Sequence, residues 1–134
     1  KAVIYALQKE GCQEIKVFNR GFKKTKNLKI LYGLVGMPLS NLYKHTANKS
    51  LIINTTPIDI LRDIDKKNCN ENSIGYDIVY KPKETSFLSH FKKNKKIYGI
   101  DMLIYQAAPC FEEWFGEKAV VDRGLYDLLE KKIL

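Results

Sequence analysis

Four positions, polar or small, follow directly on β-rich runs of this chain. They are Asn19-Arg20 after residues 14–18, Asn54-Thr55-Thr56 after 50–53, Tyr80-Lys81 after 76–79, and Gly99 after 96–98. Amides, hydroxyls, cations and a side-chain-free backbone position can together hold a polar small molecule. Arg in particular presents a planar fork of donors that matches phosphate oxygens. A further amide, Gln106, lies in the apolar stretch 99–116, one helical turn after Met102 and on the same face. Buried without a partner, it would cost about 1–3 kcal/mol. Its partner is therefore either another protein group or a polar ligand.

Strands and helices must carry these positions, and the two alternate along the chain. Residues 2–9 read as a helix closed by Gly11, and residues 14–18, alternating apolar with polar, as a strand. Residues 22–32 read as a helix with Leu28 and Leu31 on one buried face. Gly33, Gly36 and Pro38 then break the chain before a short turn at 39–43. Residues 50–54 form a continuous apolar run, as in parallel strands buried on both faces. A loop with Pro57, a turn near 60–64 and an Asn-rich surface connection over 66–73 lead to a strand at 76–80. A helix at 87–93, a brief strand at 96–98, the long helix at 99–116 and an amphipathic helix at 121–133 follow. This alternation points to an α/β fold with a parallel sheet, in which ligands bind beyond the carboxyl ends of the strands. The four positions are those ends.

The chain has 134 residues, 45% of them hydrophobic, and a formal net charge of +8. That is one domain's worth of ordinary globular sequence. No apolar run approaches the roughly 20 residues of a membrane helix. The positive charge is mostly lysine, with Arg20, Arg62 and Arg123 the only arginines. No nucleic-acid-binding signature accompanies it, so a solvated basic surface with some affinity for anions is expected rather than base recognition. Cys12, Cys69 and Cys110 are odd in number and far apart, and His45 and His90 lack ligand-spaced neighbours. The pattern argues for reduced thiols in a cytoplasmic setting and against a metal site. Lys1 stands at the head of the first helix with neither Met nor a signal-peptide pattern, as expected of a chain cut inside a longer protein.

In a dinucleotide-binding fold the end of the second strand meets the adenosine ribose. A carboxylate there selects NAD, and an Arg accommodates the 2′-phosphate of NADP. Asn19-Arg20, with Lys23 and Lys24 behind it and no carboxylate beside it, has the NADP character. The same residues also read as a plain polar turn. The Gly-rich turn that would seat the pyrophosphate at a helix N-terminus would fall before Lys1.

Taken together, Phe18-Asn-Arg20, Ile52-Ile-Asn-Thr-Thr-Pro57, Tyr76-Asp-Ile-Val-Tyr80 and Gly99-x-x-Met-Leu-x-x-Gln-Ala-Ala108 resemble the C-terminal part of the shikimate dehydrogenase family, over essentially the whole chain. The resemblance implies a Rossmann-like parallel sheet flanked by helices, lacking its first central strand in this chain. Residues 1–98 would be the truncated NADP-binding domain, and 99–134 C-terminal helices that pack back on an absent substrate domain. The implied cofactor is NADP. The implied activity of the intact enzyme is reduction of 3-dehydroshikimate to shikimate in aromatic amino-acid biosynthesis. Carried over by position, Asn19, Arg20 and Lys24 hold the adenosine 2′-phosphate, with Lys23 nearby. Thr56 lines the cofactor path, Ile78 and Met102 pack on the nicotinamide, and the Gly99 backbone meets its carboxamide. Tyr80 and Gln106 bind shikimate. The family's catalytic Lys and Asp belong to the N-terminal domain, so no catalytic residue is expected here, and the fragment alone is expected to be inactive.

The chain departs from the family's pattern at three points. Gly21 stands where Thr often follows Asn-Arg. Lys24 stands where Arg is common, replacing a bidentate fork with a point charge. Pro109 sits inside the last motif, where it is expected to kink the helix at the Tyr105 carbonyl. Two other readings stay open: a quinate/shikimate dehydrogenase, and a non-catalytic basic module that binds nucleotides or nucleic acid. A homodimer of the intact enzyme, and no membrane partner, complete the expectations.

Overall fold

The computed structural model describes residues 1–21, 25–63 and 69–133, and the chain divides into two compact units, Lys1–Thr46 and Ala47–Leu134. In the first unit, α1 (Ala2–Lys9) buries Ile4. The strand expected at 14–18 is a shorter β1 (Val17–Asn19), paired in parallel with β2 (Gly36–Pro38), with Val17 opposite Gly36 and Asn19 opposite Pro38. β2 corrects the expectation that Gly36 and Pro38 only break the chain. Gly36 answers a packing demand: a Cβ there would lie 2.1 Å from the Cβ of Thr25, at the head of α2 (Lys26–Tyr32). Pro38 is tolerated because β2 is an edge strand.

α2 buries less than its pattern promised, since Leu31 is 55% exposed. Gly33 closes the helix in the left-handed conformation (φ 68°), and its N–H donates to the Lys29 carbonyl while that of Leu34 donates to Leu28. Gln8 of α1 donates its Nε2 hydrogen to the Tyr32 carbonyl at 2.9 Å. A short 3-10 helix (Leu39–Lys44) follows β2, and His45 just beyond it packs on Phe18, with 5.4 Å between ring centroids.

The second unit holds a parallel sheet in the order β3 (Leu51–Asn54), β4 (Ile74–Asp77), β5 (Lys96–Ile97). Ile52 and Asn54 are buried while Leu51 is 45% exposed, so within this unit β3 buries one face rather than two. Gly75 in β4 lets Phe91 pack flat against the strand, because a Cβ there would lie 2.3 Å from that ring. This contact explains why the helix expected at 87–93 is only a 3-10 turn (Leu88–His90). Phe91 leaves helical backbone for φ −109°, ψ 152°, and so its ring lies on β4 beside Phe87, 5.3 Å away. Leu61, Phe87 and Leu88 are completely enclosed.

Two helices end the chain. α3 (Gly99–Phe115) has Pro109 inside it and stops at Gly116, which is again left-handed at φ 69°. α4 (Arg123–Ile133) starts two residues later than expected because the Asp122 carboxylate accepts the Leu125 N–H at 2.9 Å, an N-terminal cap. Among the described residues no helix is long and apolar enough to cross a membrane.

Candidate functional site

The carboxyl ends of β3 and β4 border a cavity of about 440 Å³, lined by residues 55–57 on one side and 78–81 on the other. Three residues singled out in the sequence, Thr56, Ile78 and Tyr80, meet there. Pro57, Ile78, Val79 and Tyr80 make it largely apolar, with Thr55, Thr56 and Lys81 as its polar residues. This is the composition of a small-molecule site: an apolar body with a few directed polar atoms.

Both walls hang from one buried hydrogen-bond network. Asn54, 1% exposed, accepts the Thr56 N–H (3.1 Å) and hydroxyl (2.8 Å) on Oδ1. Its Nδ2 donates to the Ile58 carbonyl (2.8 Å) and to Asp77 Oδ1 (3.3 Å). Asp77, also 1% exposed, accepts the Val79 N–H on Oδ1 (3.1 Å) and the Thr85 hydroxyl on Oδ2 (2.7 Å). Thr85 Oγ1 in turn accepts the Leu88 N–H (3.2 Å). The expected strand at 76–80 ends at Asp77 for this reason: the Val79 N–H turns to a side chain rather than to a neighbouring strand.

Gly99, the first residue of α3, sits against the second wall. A Cβ there would fall 2.6 Å from the Val79 carbonyl oxygen and 2.7 Å from that of Ile78. Met102 lies one turn further along α3 and is half-buried, lining neither this cavity nor the hollow described next.

Gln106 corrects an expectation. It is exposed rather than buried, so it carries no desolvation penalty in this chain. It lines a separate hollow of about 400 Å³ with Ala107, Cys110, Phe111, Trp114 and Phe115. Tyr80 and Gln106, expected to hold one substrate, therefore line different cavities. The hollow belongs to an apolar face that α3 leaves open, where Tyr105, Trp114 and Phe115 are 64%, 76% and 65% exposed.

In the first unit, the Asn19 side chain accepts the Gly21 N–H at 3.0 Å, a local turn that directs the chain just past β1. Arg20 is exposed and forms no ion pair among the described residues. Lys23 and Lys24 lie outside the described residues. Many other cations are paired: Lys16 with Glu14, Lys92 with Glu71, Lys83 with Glu130 and Lys96 with Glu84.

α4 is anchored on α3 by the Tyr126 hydroxyl, which donates to Asp101 Oδ1 at 2.9 Å. Loss of water and the neighbouring Asp101 carboxylate, with a contribution from Tyr105, push the Tyr126 phenol from 10.0 up to about 12. Because the folded value is the higher one, the stabilisation is whole below about pH 10 and is lost as pH rises through about 12. Tyr126→Phe is expected to cost about 1 kcal/mol at neutral pH and to flatten the loss of stability across that alkaline window. Urea melts of both proteins at several pH values check this.

Asp77 was not among the site residues singled out in the sequence. The signal was present, since an Asp between apolar neighbours in a buried strand needs donors around it.

No family model matches the chain. It is 34% identical over 137 aligned positions to the shikimate dehydrogenase (NADP(+)) of Rhizobium rhizogenes, covering 96% of this chain and 48% of that protein. It is 38% identical over 130 positions to the enzyme of the same name from Dictyoglomus thermophilum, covering 87% of this chain and 46% of that one. The crystal structure of shikimate 5-dehydrogenase from Thermus thermophilus in complex with NADP(H) and shikimate superimposes with a TM-score of 0.75 at 26% identity, over 99% of this chain and 51% of that chain. The chain thus spans about half the length of the relatives it matches. With its parallel strands flanked by helices and its strand-end residues in the order described, the chain belongs to the shikimate dehydrogenase family.

Proposed function

We propose that this chain is the NADP-binding and C-terminal half of a shikimate dehydrogenase. The intact protein would move a hydride from NADPH to the C3 carbonyl carbon of 3-dehydroshikimate while a proton goes to the oxygen, leaving shikimate and NADP⁺. The observation that carries this reading is the cavity beyond β3 and β4, which gathers Thr56, Ile78 and Tyr80. Its residues fit a nicotinamide. Ile78 and Val79 offer an apolar surface for the ring, the Thr side chains suit a ribose, and Gly99 lets α3 close on the Ile78 and Val79 backbone behind that wall. Arg20, exposed at the end of β1, suits the 2′-phosphate together with Asn19, Lys23 and Lys24.

When bound, the cofactor supplies the hydride chemistry, and the protein's part is to orient it and exclude water. Tyr80, Met102 and Gln106 are assigned to the substrate side and the nicotinamide edge. Residues 99–134 are assigned to packing against the family's N-terminal substrate domain, in keeping with the open apolar face of α3. A cytoplasmic enzyme, homodimeric when intact, completes the proposal.

Calorimetric titration of the chain tests the cofactor half. NADP⁺ is expected to bind saturably and more tightly than NAD⁺, without shikimate-dependent NADPH formation by this chain alone. Equal affinity for both dinucleotides, or binding only to RNA in competition with neither, would remove the basis for this reading.

A further inference from the structure

We infer that Asp77 is an electrostatic bias beneath the cavity that favours the oxidised, cationic nicotinamide over the reduced, neutral one; this rests on the functional reading above. The inference starts from which atoms carry hydrogens. The Val79 N–H can only donate, and it points at Asp77 Oδ1 (3.1 Å). Asn54 receives the Thr56 N–H and hydroxyl on its oxygen, so its nitrogen is the atom facing Asp77. Thr85 Oγ1 receives the Leu88 N–H and donates its own hydrogen to Asp77 Oδ2 at 2.7 Å. Every partner donates and Asp77 only accepts, as an ionised carboxylate does.

The charge is solvated by neutral dipoles and is not cancelled. Among the described residues no Lys, Arg or His forms an ion pair with Asp77, although the lysines at 83, 92 and 96 all have carboxylate partners. Asp77 is 1% exposed, so water screens it little. It is covalently joined to Ile78, the apolar wall assigned to the nicotinamide. A fixed negative charge behind that wall interacts with a ring that is positive when oxidised and neutral when reduced. The rest of the dinucleotide carries the same charge in both forms, so the ratio of the two affinities isolates the ring.

Direct titration of the wild-type chain with NADP⁺ and with NADPH, followed by NMR at millimolar ligand, gives Kd(NADPH)/Kd(NADP⁺). Asp77→Asn preserves shape and removes the charge; it is expected to lower that ratio by about 15-fold, the effect of a unit charge roughly 10 Å away in a protein-like dielectric. Thr85→Val removes one solvating dipole but keeps the charge, and it is expected to raise the ratio about twofold. This second variant keeps the test decisive if Asp77→Asn does not fold. Equal weakening of both forms by Asp77→Asn would make Asp77 merely structural and overturn the inference, as would an unchanged or lowered ratio in Thr85→Val. Either result leaves the functional reading standing. Absence of saturable binding of both forms to the wild type overturns that reading and this inference together.

Discussion

Arg20→Ala is expected to weaken NADP binding by roughly 10- to 100-fold while leaving NAD binding nearly unchanged. A hydrogen bond between a charged donor and a charged acceptor contributes about 1.5–3 kcal/mol, which converts to a loss of that size. Arg20 is well placed to show the whole effect, because no carboxylate engages it among the described residues. The Asx turn, in which Asn19 Oδ1 holds the Gly21 N–H at 3.0 Å, fixes the backbone on either side of it. Binding therefore orders little besides the side chain itself.

NAD lacks the 2′-phosphate, so it reports any general damage done by the substitution. Arg20→Lys should restore part of the loss, since it returns the charge without the planar fork. Raising the ionic strength should weaken NADP more than NAD in the wild type and equally in Arg20→Ala. A variant that loses both dinucleotides equally would mean that Arg20 supports the turn and not the phosphate.

What the sequence revealed, and what it hid, divides along physical lines. Helix α1 and the strand-end residues were readable because they depend on local pattern: period, a closing Gly, and a polar residue after an apolar run. The assembly of Thr56, Ile78 and Tyr80 around one cavity followed from the rule that parallel strands present their carboxyl ends together. Strand β2 was hidden because Gly36 is required by contact with Thr25, which is far from it in pattern though close in space. The end of β4 was hidden because a side chain, Asp77, competes for a backbone N–H that pattern assigns to the ladder.

The exposure of Gln106 was hidden for a different reason. The apolar composition of α3 measures how much surface the helix has to cover, not what covers it, and in this chain Trp114 and Phe115 remain open beside it.

Gly99→Val is expected to destabilise the chain by about 3 kcal/mol or more and to abolish dinucleotide binding, with Gly99→Ala intermediate in both. Overpacking is tolerated where a flexible side chain can move aside. At Gly99 the obstructing atoms are the backbone oxygens of Val79, 2.6 Å from the added Cβ, and of Ile78, 2.7 Å from it. Neither can yield alone. The Val79 N–H is held by Asp77, and the Ile78 N–H donates to the Asn54 carbonyl at 3.1 Å, so both residues belong to the buried network. The helix must move instead, but Ile100 and Ile104 are 3% and 4% exposed, which makes retreat of α3 costly as well. Whichever element yields, the wall formed by Ile78 and Val79 shifts against the Thr56 wall. Shifts of about 1 Å suffice to undo a bound geometry. Chemical denaturation and NADP titration of the two variants give both quantities. A Gly99→Ala chain with wild-type midpoint and wild-type affinity would show that α3 is not held against the cavity in this way.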